Sequence, residues 1–319
     1  MDDIMAWTEK IKASVERVIL GKGEVIEKLL VALLCRGHVL LEDVPGVGKT
    51  ILARAMSLSL GGEFRRVQCT ADLLPADVLG VSIYNQKSGQ FDFRQGPVMT
   101  NVLLVDEINR ATPRTQSALL EAMEERKITV EGKSLPLPDP FFILATENPV
   151  EFEGTFPLPE AQKDRFFLCL SMGYPPEEAE MEIMLAQRRL THPVTDLSSV
   201  TETATVLAMQ RRILEVSVSA ELEDLILAIV GATRTDGRLA LGASPRASIA
   251  LYKGAQALAA VRGRTEATAE DVRELALPVL LKRIQVKSEH LLKGMTERAV
   301  IAQLIQQVES RREAASARA

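Results

Sequence analysis

A lysine and a threonine behind closely spaced glycines, two adjacent carboxylates, and an asparagine at a strand end are the residues here whose chemistry converges on one reaction. In His38–Thr50, HVLLEDVPGVGKT, a short apolar strand (His38–Glu42) leads into a Pro/Gly-rich loop (Asp43–Gly48), and Lys49-Thr50 open a helix that runs to about Leu60. Polyphosphate binding needs this order. The strand aims the loop, glycines let backbone N–H groups close around phosphates, and the helix N-terminus adds its positive dipole. Val44, Pro45, Gly46, Val47, Gly48, Lys49, Thr50 and Ile51 are therefore the candidate nucleotide-binding residues. Lys49 would reach the β/γ-phosphates and the Thr50 hydroxyl would hold Mg²⁺. Asp43 occupies the first glycine position of G-x-x-x-x-G-K-[ST]. Asp tolerates left-handed backbone better than most residues, which keeps the loop feasible. The competing reading is a tight strand–helix turn with a chance Gly-Lys-Thr.

Val102–Asn109, VLLVDEIN, is an apolar run ending in two carboxylates, as a strand buried on both faces would be. Carboxyl ends of strands are where open α/β sheets bind ligands. Asp106 would serve the Mg²⁺ shell and Glu107 would activate the attacking water; neighbouring strand residues face opposite sides, which suits two roles. Phe141–Thr146 is a second buried strand, ending at Glu147-Asn148-Pro149. Asn148 fits both a water-positioning residue and a turn cap before proline, and the company it keeps favours the first. Arg165 follows Asp164 directly, so an ion pair within the domain is the plain reading there. Arg246, in Ser244-Pro245-Arg246, opens a helix whose dipole repels a cation. An anion beside it is required, either a surface carboxylate or a γ-phosphate.

The elements that must position these residues divide the chain. Up to Pro175 strands and helices alternate, with one hairpin at about 81–94 around Asn85–Gly89 and another at about 127–137 around Gly132-Lys133. The first hairpin fits a plain solvent-facing turn and a working loop equally. The break at Gly21 and Gly23 between two N-terminal helices fits a nucleotide-base neighbour and an ordinary turn equally. Beyond Pro175-Pro176 only helices are expected: Glu177–Leu190, Glu202–Leu214, Ala220–Thr235, Pro245–Arg262, Ala269–Ile284 and Thr296–Arg312, with a frayed tail at Ala314–Ala319. The expected domains are thus 1–175, α/β with a parallel sheet, and 176–319, helical.

Composition sets the bounds. The 319 residues are 46% hydrophobic but 4% aromatic, so the cores must be aliphatic. No apolar run approaches the ~18 residues of a membrane span, and the acidic, amphipathic N-terminus is unlike a signal peptide. Cys35, Cys69 and Cys169 are lone and widely spaced, which fits neither a disulfide framework nor a metal site and suits the cytoplasm. His38, His192 and His290 do not cluster and read as structural. The net charge is −5; Met1–Pro175 carries 19 basic and 24 acidic residues while the remainder balances at 19 and 19. A nucleic-acid partner, which calls for a basic domain, is not expected.

The strings LLEDVPGVGKT, TADLLPADVLG, FRQGP, LLVDEINRATPRTQSALLEAMEE, ATENPVEFEGTFPLPEAQKDRF and GASPRA, from about Arg17 to Arg246, resemble the MoxR family of bacterial and archaeal AAA+ ATPases. The resemblance implies an AAA+ P-loop three-layer α/β domain followed by a smaller all-α lid, with ATP and Mg²⁺ as cofactors. It implies phosphate-loop roles for Lys49 and Thr50, metal and catalytic carboxylate roles for Asp106 and Glu107, the first sensor for Asn148, the arginine finger for Arg165 and the second sensor for Arg246. It also implies a homo-oligomer, a hexameric ring, that remodels or matures a protein client, including metal loading, often with a von Willebrand factor A domain partner. The departures are Asp43, which many members share, and Lys163, where an apolar residue is expected. A nucleotide-controlled assembly switch and a nucleic-acid motor are the alternatives; intact Glu107, Asn148 and Arg165 oppose the first, the acidic N-terminal domain the second.

Overall fold

The computed structural model describes residues 1–148, 154–186, 188 and 191–316. The predicted turn residue Pro149, residues 151–153, the end of the predicted helix Glu177–Leu190 (187, 189 and 190) and the tail 317–319 lie outside the described residues. The chain forms two units: Ala6–Pro159 with Leu170–Gln210, and Met1–Met5 with Glu160–Cys169 and Arg211 onward.

The strands in chain order are β1 (Val39–Glu42), β2 (Phe64–Gln68), β3 (Gly80–Asn85), β4 (Gln90–Gln95), β5 (Val102–Asp106), β6 (Lys127–Val130), β7 (Lys133–Pro136), β8 (Phe142–Glu147), β9 (Leu168–Leu170), β10 (Leu239–Leu241) and β11 (Gln285–Val286). Five of them make one sheet in the order β2-β5-β8-β1-β9, with parallel ladders β2·β5, β5·β8 and β1·β8. The central strands are apolar because both faces are covered: Leu103–Val105 and Phe142–Ala145 are fully buried. Register does the positioning. Gln68 lies beside Asp106 and Glu42 beside Glu147, so the polar carboxyl ends of four strands share one edge.

Helices pack on the sheet through aliphatic faces, among them Lys49–Leu60 (Leu52, Met56, Leu60) and Pro113–Glu125 (Leu119, Leu120, Met123). The first stops at Gly61, whose φ of 68° suits glycine and whose Cβ position lies 2.7 Å from the Thr201 carbonyl oxygen. Both expected hairpins form, β3·β4 and β6·β7. Residues 170–210 group with the sheet-bearing part and are hydrogen-bonded to it. The Trp7 indole N–H donates to Thr201 Oγ1 (3.0 Å), the Val200 N–H to the Ser59 carbonyl (3.0 Å), and Gln210 Nε2 to the Leu33 carbonyl (2.7 Å).

The helical unit carries Ala220–Thr235, Pro245–Val261, Ala269–Leu280 and Glu297–Ser316. Beyond the helices expected it carries the short antiparallel ladder β10·β11 and a short helix, Ser288–Leu291, and the helix expected to reach Ile284 ends at Leu280. The helix Pro245–Val261 packs closely through alanines, and a Cβ on Gly254 would sit 2.9 Å from Leu275 Cδ1. Among the described residues no helix is long and apolar enough to cross a membrane.

His38, just ahead of β1, is a structural bolt. It is 4% exposed; Nδ1 accepts the Ile143 N–H at 2.9 Å, so Nε2 carries the proton and donates to the Met123 carbonyl at 3.2 Å. Burial, and then the Arg126 charge, hold its pKa down at about 3. The unfolded ring binds its proton near pH 6.5, so this contribution is complete above that value and is lost as pH falls towards 3. Urea unfolding between pH 7 and pH 4 should therefore show stability falling by up to ~1.4 kcal/mol per pH unit from this group. His38→Gln should flatten the slope by about one proton; an unchanged slope would remove His38 from the acid response.

Candidate functional site

The loop after β1 turns on two glycines. Gly46 and Gly48 have φ of 88° and 94°, and among the described residues nothing beyond their own chain neighbours lies within 4 Å of a Cβ at either position. The positive φ values account for glycine at both positions, and the space beside them is a cradle open to a ligand. Gly48 is the N-cap of the helix Lys49–Leu60. The Lys49 ammonium donates to the Asp43 and Val44 carbonyls at 2.9 and 3.3 Å, holding a cation at the loop mouth. Asp43 is not in left-handed backbone, contrary to the sequence-based reason for tolerating it. It is 5% exposed, and its carboxylate accepts Ser171 Oγ–H (2.7 Å), the Met172 N–H (2.6 Å) and the Gly173 N–H (3.0 Å).

At the end of β5 the carboxylates are held separately. Asp106 Oδ1 accepts the Thr146 hydroxyl at 2.7 Å and Oδ2 pairs with Arg66 at 2.6 Å. Glu107 sits at φ 55°, ψ 54°, which swings its side chain out of the strand alternation. Its N–H donates to Thr146 Oγ1 (2.8 Å), and its carboxylate meets Gln68 Nε2 (3.0 Å) and Arg110 Nη1 (3.3 Å). Lys49, Thr50, Asp106, Glu107 and Asn148 line one cavity of about 370 Å³ with Arg66 and Gln68. A second, of about 420 Å³, shares Pro45, Gly46 and Gly48 with it and adds Val47, Ile51, Ile19, Lys22, Met172 and Tyr174. The first is lined mainly by polar side chains and the second mainly by apolar ones, so a polar chamber and a largely apolar one share one glycine loop.

One chemistry is set aside by the surroundings. Burial, with Asp106 and Glu107 adding to it, pushes the Cys69 thiol up to about 12, so it is no nucleophile. Among the described residues no three His, Cys, Asp or Glu side chains are grouped to hold a metal. A hard cation that keeps waters and takes phosphate oxygens needs no such cage, and the Thr50 hydroxyl and the Asp106 carboxylate line the same cavity.

Arg165 and Arg246 belong to the helical unit. Asp164, the neighbour of Arg165, takes Arg283 Nε on Oδ1 at 2.9 Å and the Ser244 hydroxyl on Oδ2 at 2.7 Å. Ser244 Oγ in turn accepts the Arg246 N–H at 3.1 Å, capping the helix that Arg246 opens. Lys163, unexpected in an apolar position, pairs with Glu160 at 3.0 Å. Arg66, Gln68 and Thr146 are site residues that sequence reasoning missed. The signal was present for two of them: Arg66 and Gln68 alternate on one face of EFRRVQCT, the strand that pairs with β5.

Residues 38–168 match the family model described as ATPase family associated with various cellular activities (AAA), and 231–304 match the AAA lid domain. Chaperone MoxR1 of Mycobacterium tuberculosis is 41% identical over 94% of this chain and 81% of its own length. The uncharacterised protein YeaC of Bacillus subtilis is 45% identical over 96% of each chain, and protein MoxR of Paracoccus denitrificans is 31% identical over 88% of this chain and 90% of its own. A crystal structure from Cytophaga hutchinsonii, assigned as an ATPase, superposes with a TM-score of 0.89 at 36% identity, covering 96% of both chains.

The Thr146 hydroxyl serves Asp106 and Glu107 at once from a position 1% exposed. Thr146→Val keeps the shape and strands a buried N–H. It should cost ~1–3 kcal/mol in urea unfolding, whereas Thr146→Ser should recover most of that. Equal losses for both variants would assign the effect to packing.

Proposed function

Because the chain belongs to the MoxR family of AAA+ ATPases, we propose that its two cavities form one nucleotide site and that it hydrolyses Mg-ATP to remodel a protein client. The observation that carries the site assignment is the convergence of Lys49, Thr50, Asp106, Glu107 and Asn148 on one chamber beside the glycine loop. The base lies in the apolar chamber and the phosphates in the polar one. Lys49 leaves its two carbonyls for the β/γ-phosphates, a better partner because the acceptor is charged. The Gly46 and Gly48 region presents backbone N–H groups to the same oxygens. Thr50 and Asp106 hold Mg²⁺, which offsets the phosphate charge. Glu107 takes the proton of the attacking water and Asn148 orients that water.

Arg246 senses the nucleotide from the lid. Arg165 acts as a finger on a neighbouring subunit's phosphate, which makes a ring, a hexamer by family resemblance, the active form. MoxR1 is named a chaperone, and a chaperone-like maturation role, in the cytoplasm and with a protein partner such as a von Willebrand factor A domain, fits the same scheme. Metal loading of a client is one form that such maturation takes.

Lys49→Ala should abolish hydrolysis by removing nucleotide binding. Glu107→Gln should keep binding and lose ~10²–10⁴-fold in turnover, the usual weight of a catalytic base. Equilibrium binding and steady-state hydrolysis separate the two, and wild-type turnover by Glu107→Gln would refute its role.

Mixing tests the finger. Arg165→Ala and Lys49→Ala subunits, each inactive alone, should recover hydrolysis together, because an intact pocket then meets an intact finger. A finger in trans is worth ~10³–10⁵ in rate elsewhere, so even partial recovery is readable. No recovery in demonstrably mixed oligomers would return Arg165 to its own subunit.

A further inference from the structure

We infer that Asp43 is a positioning residue that ties the wall of the apolar chamber to the phosphate loop and thereby sets how strongly the site favours a nucleoside triphosphate over bare phosphates. This rests on the reading of the two chambers as one nucleotide site. Asp43 stands where the motif has glycine, yet its backbone makes no use of glycine's freedom. A carboxylate 5% exposed is costly unless donors surround it. Here the donors are Ser171 Oγ, Met172 N–H and Gly173 N–H, at 2.7, 2.6 and 3.0 Å. They come from the segment that supplies Met172 and Tyr174 to the apolar chamber. Lys22, which also lines that chamber, reaches the same segment, donating to the Tyr174 carbonyl at 2.7 Å. The Asp43 carbonyl meanwhile accepts Lys49 Nζ at 2.9 Å. One residue thus sets the chamber wall with its side chain and the phosphate-seeking lysine with its backbone.

The three donors are satisfied only by an ionised carboxylate. Asparagine would turn one oxygen into a donor facing N–H groups, and glycine would restore the motif while deleting the tie. Either change frees the wall and leaves the glycines, Lys49 and Thr50 in place. Binding energy from the base should fall while that from the phosphates persists, so KM should rise by more than kcat falls.

The test is the ratio of affinities for ATP and inorganic triphosphate, each with Mg²⁺, measured by calorimetry on the full chain. The wild type should prefer ATP. Asp43→Gly and Asp43→Asn should lower that ratio on the order of tenfold, the equivalent of one charge-assisted hydrogen bond, and Ser171→Ala should lower it less. A preference kept in all three variants, or affinity for both ligands lost in parallel, would overturn the inference, the second outcome making Asp43 a support of the loop alone. A lowered melting temperature with an unchanged ratio counts the same way, and Ser171→Ala supplies the reading if the Asp43 variants do not fold. A wild type that binds both ligands equally would overturn the nucleotide reading of the apolar chamber, and this inference with it.

Discussion

Two adjacent carboxylates at the end of a buried strand repel each other and resist desolvation, and the site depends on how that conflict is settled. One hydroxyl does most of it. Thr146, at the matching end of β8, donates to Asp106 and accepts from the backbone of Glu107. The ladder that sets Val105 against Ala145 brings Thr146 there, so sheet register and site geometry are one constraint. Arg66 and Gln68 supply further donors from the strand on the other side of β5. A slip of one residue in either ladder would turn these groups to the wrong face.

The second constraint is backbone sign. Gly46, Gly48 and Glu107 all take positive φ around the same chamber. At the glycines this costs little; at Glu107 it is strain of order 1 kcal/mol that surrounding bonds must offset. That backbone turn gives the carboxylates different partners, Asp106 pairing with Arg66 and Thr146 and Glu107 meeting Gln68 and Arg110. Lys49 completes the arrangement. Held on two neutral carbonyls, it is already in place for an anion and can exchange weak acceptors for strong ones without crossing the site.

What the sequence made legible was local. The strand–loop–helix order, both hairpins and the helix Ala220–Thr235 follow from periodicity and turn chemistry within short windows, and the structure has them. Asp43 was misread because its role lies in donors 128 to 130 residues away, and no local pattern encodes that pairing. Arg283, 119 residues from the carboxylate it neutralises, was invisible for the same reason. The ties of 170–210 to the sheet-bearing part were likewise hidden: the partners of Thr201, Val200 and Gln210 are Trp7, Ser59 and Leu33, all far away in sequence.

The helical unit shows the same economy around a single carboxylate. Burial pulls the Arg283 pKa down, and the Asp164 charge opposes that, so the guanidinium stays ionised at 6% exposure with backbone carbonyls of Phe166, Phe167 and Val279 taking its other N–H groups. Such a pair adds little stability over an apolar replacement, yet losing one partner strands the other. Its use is positional. Asp164 precedes Arg165 and holds Ser244, whose oxygen caps the helix that begins with Arg246. The two arginines therefore stand on one hydrogen-bonded frame, and a displacement of either segment must strain the Asp164–Ser244 bond that fixes the other.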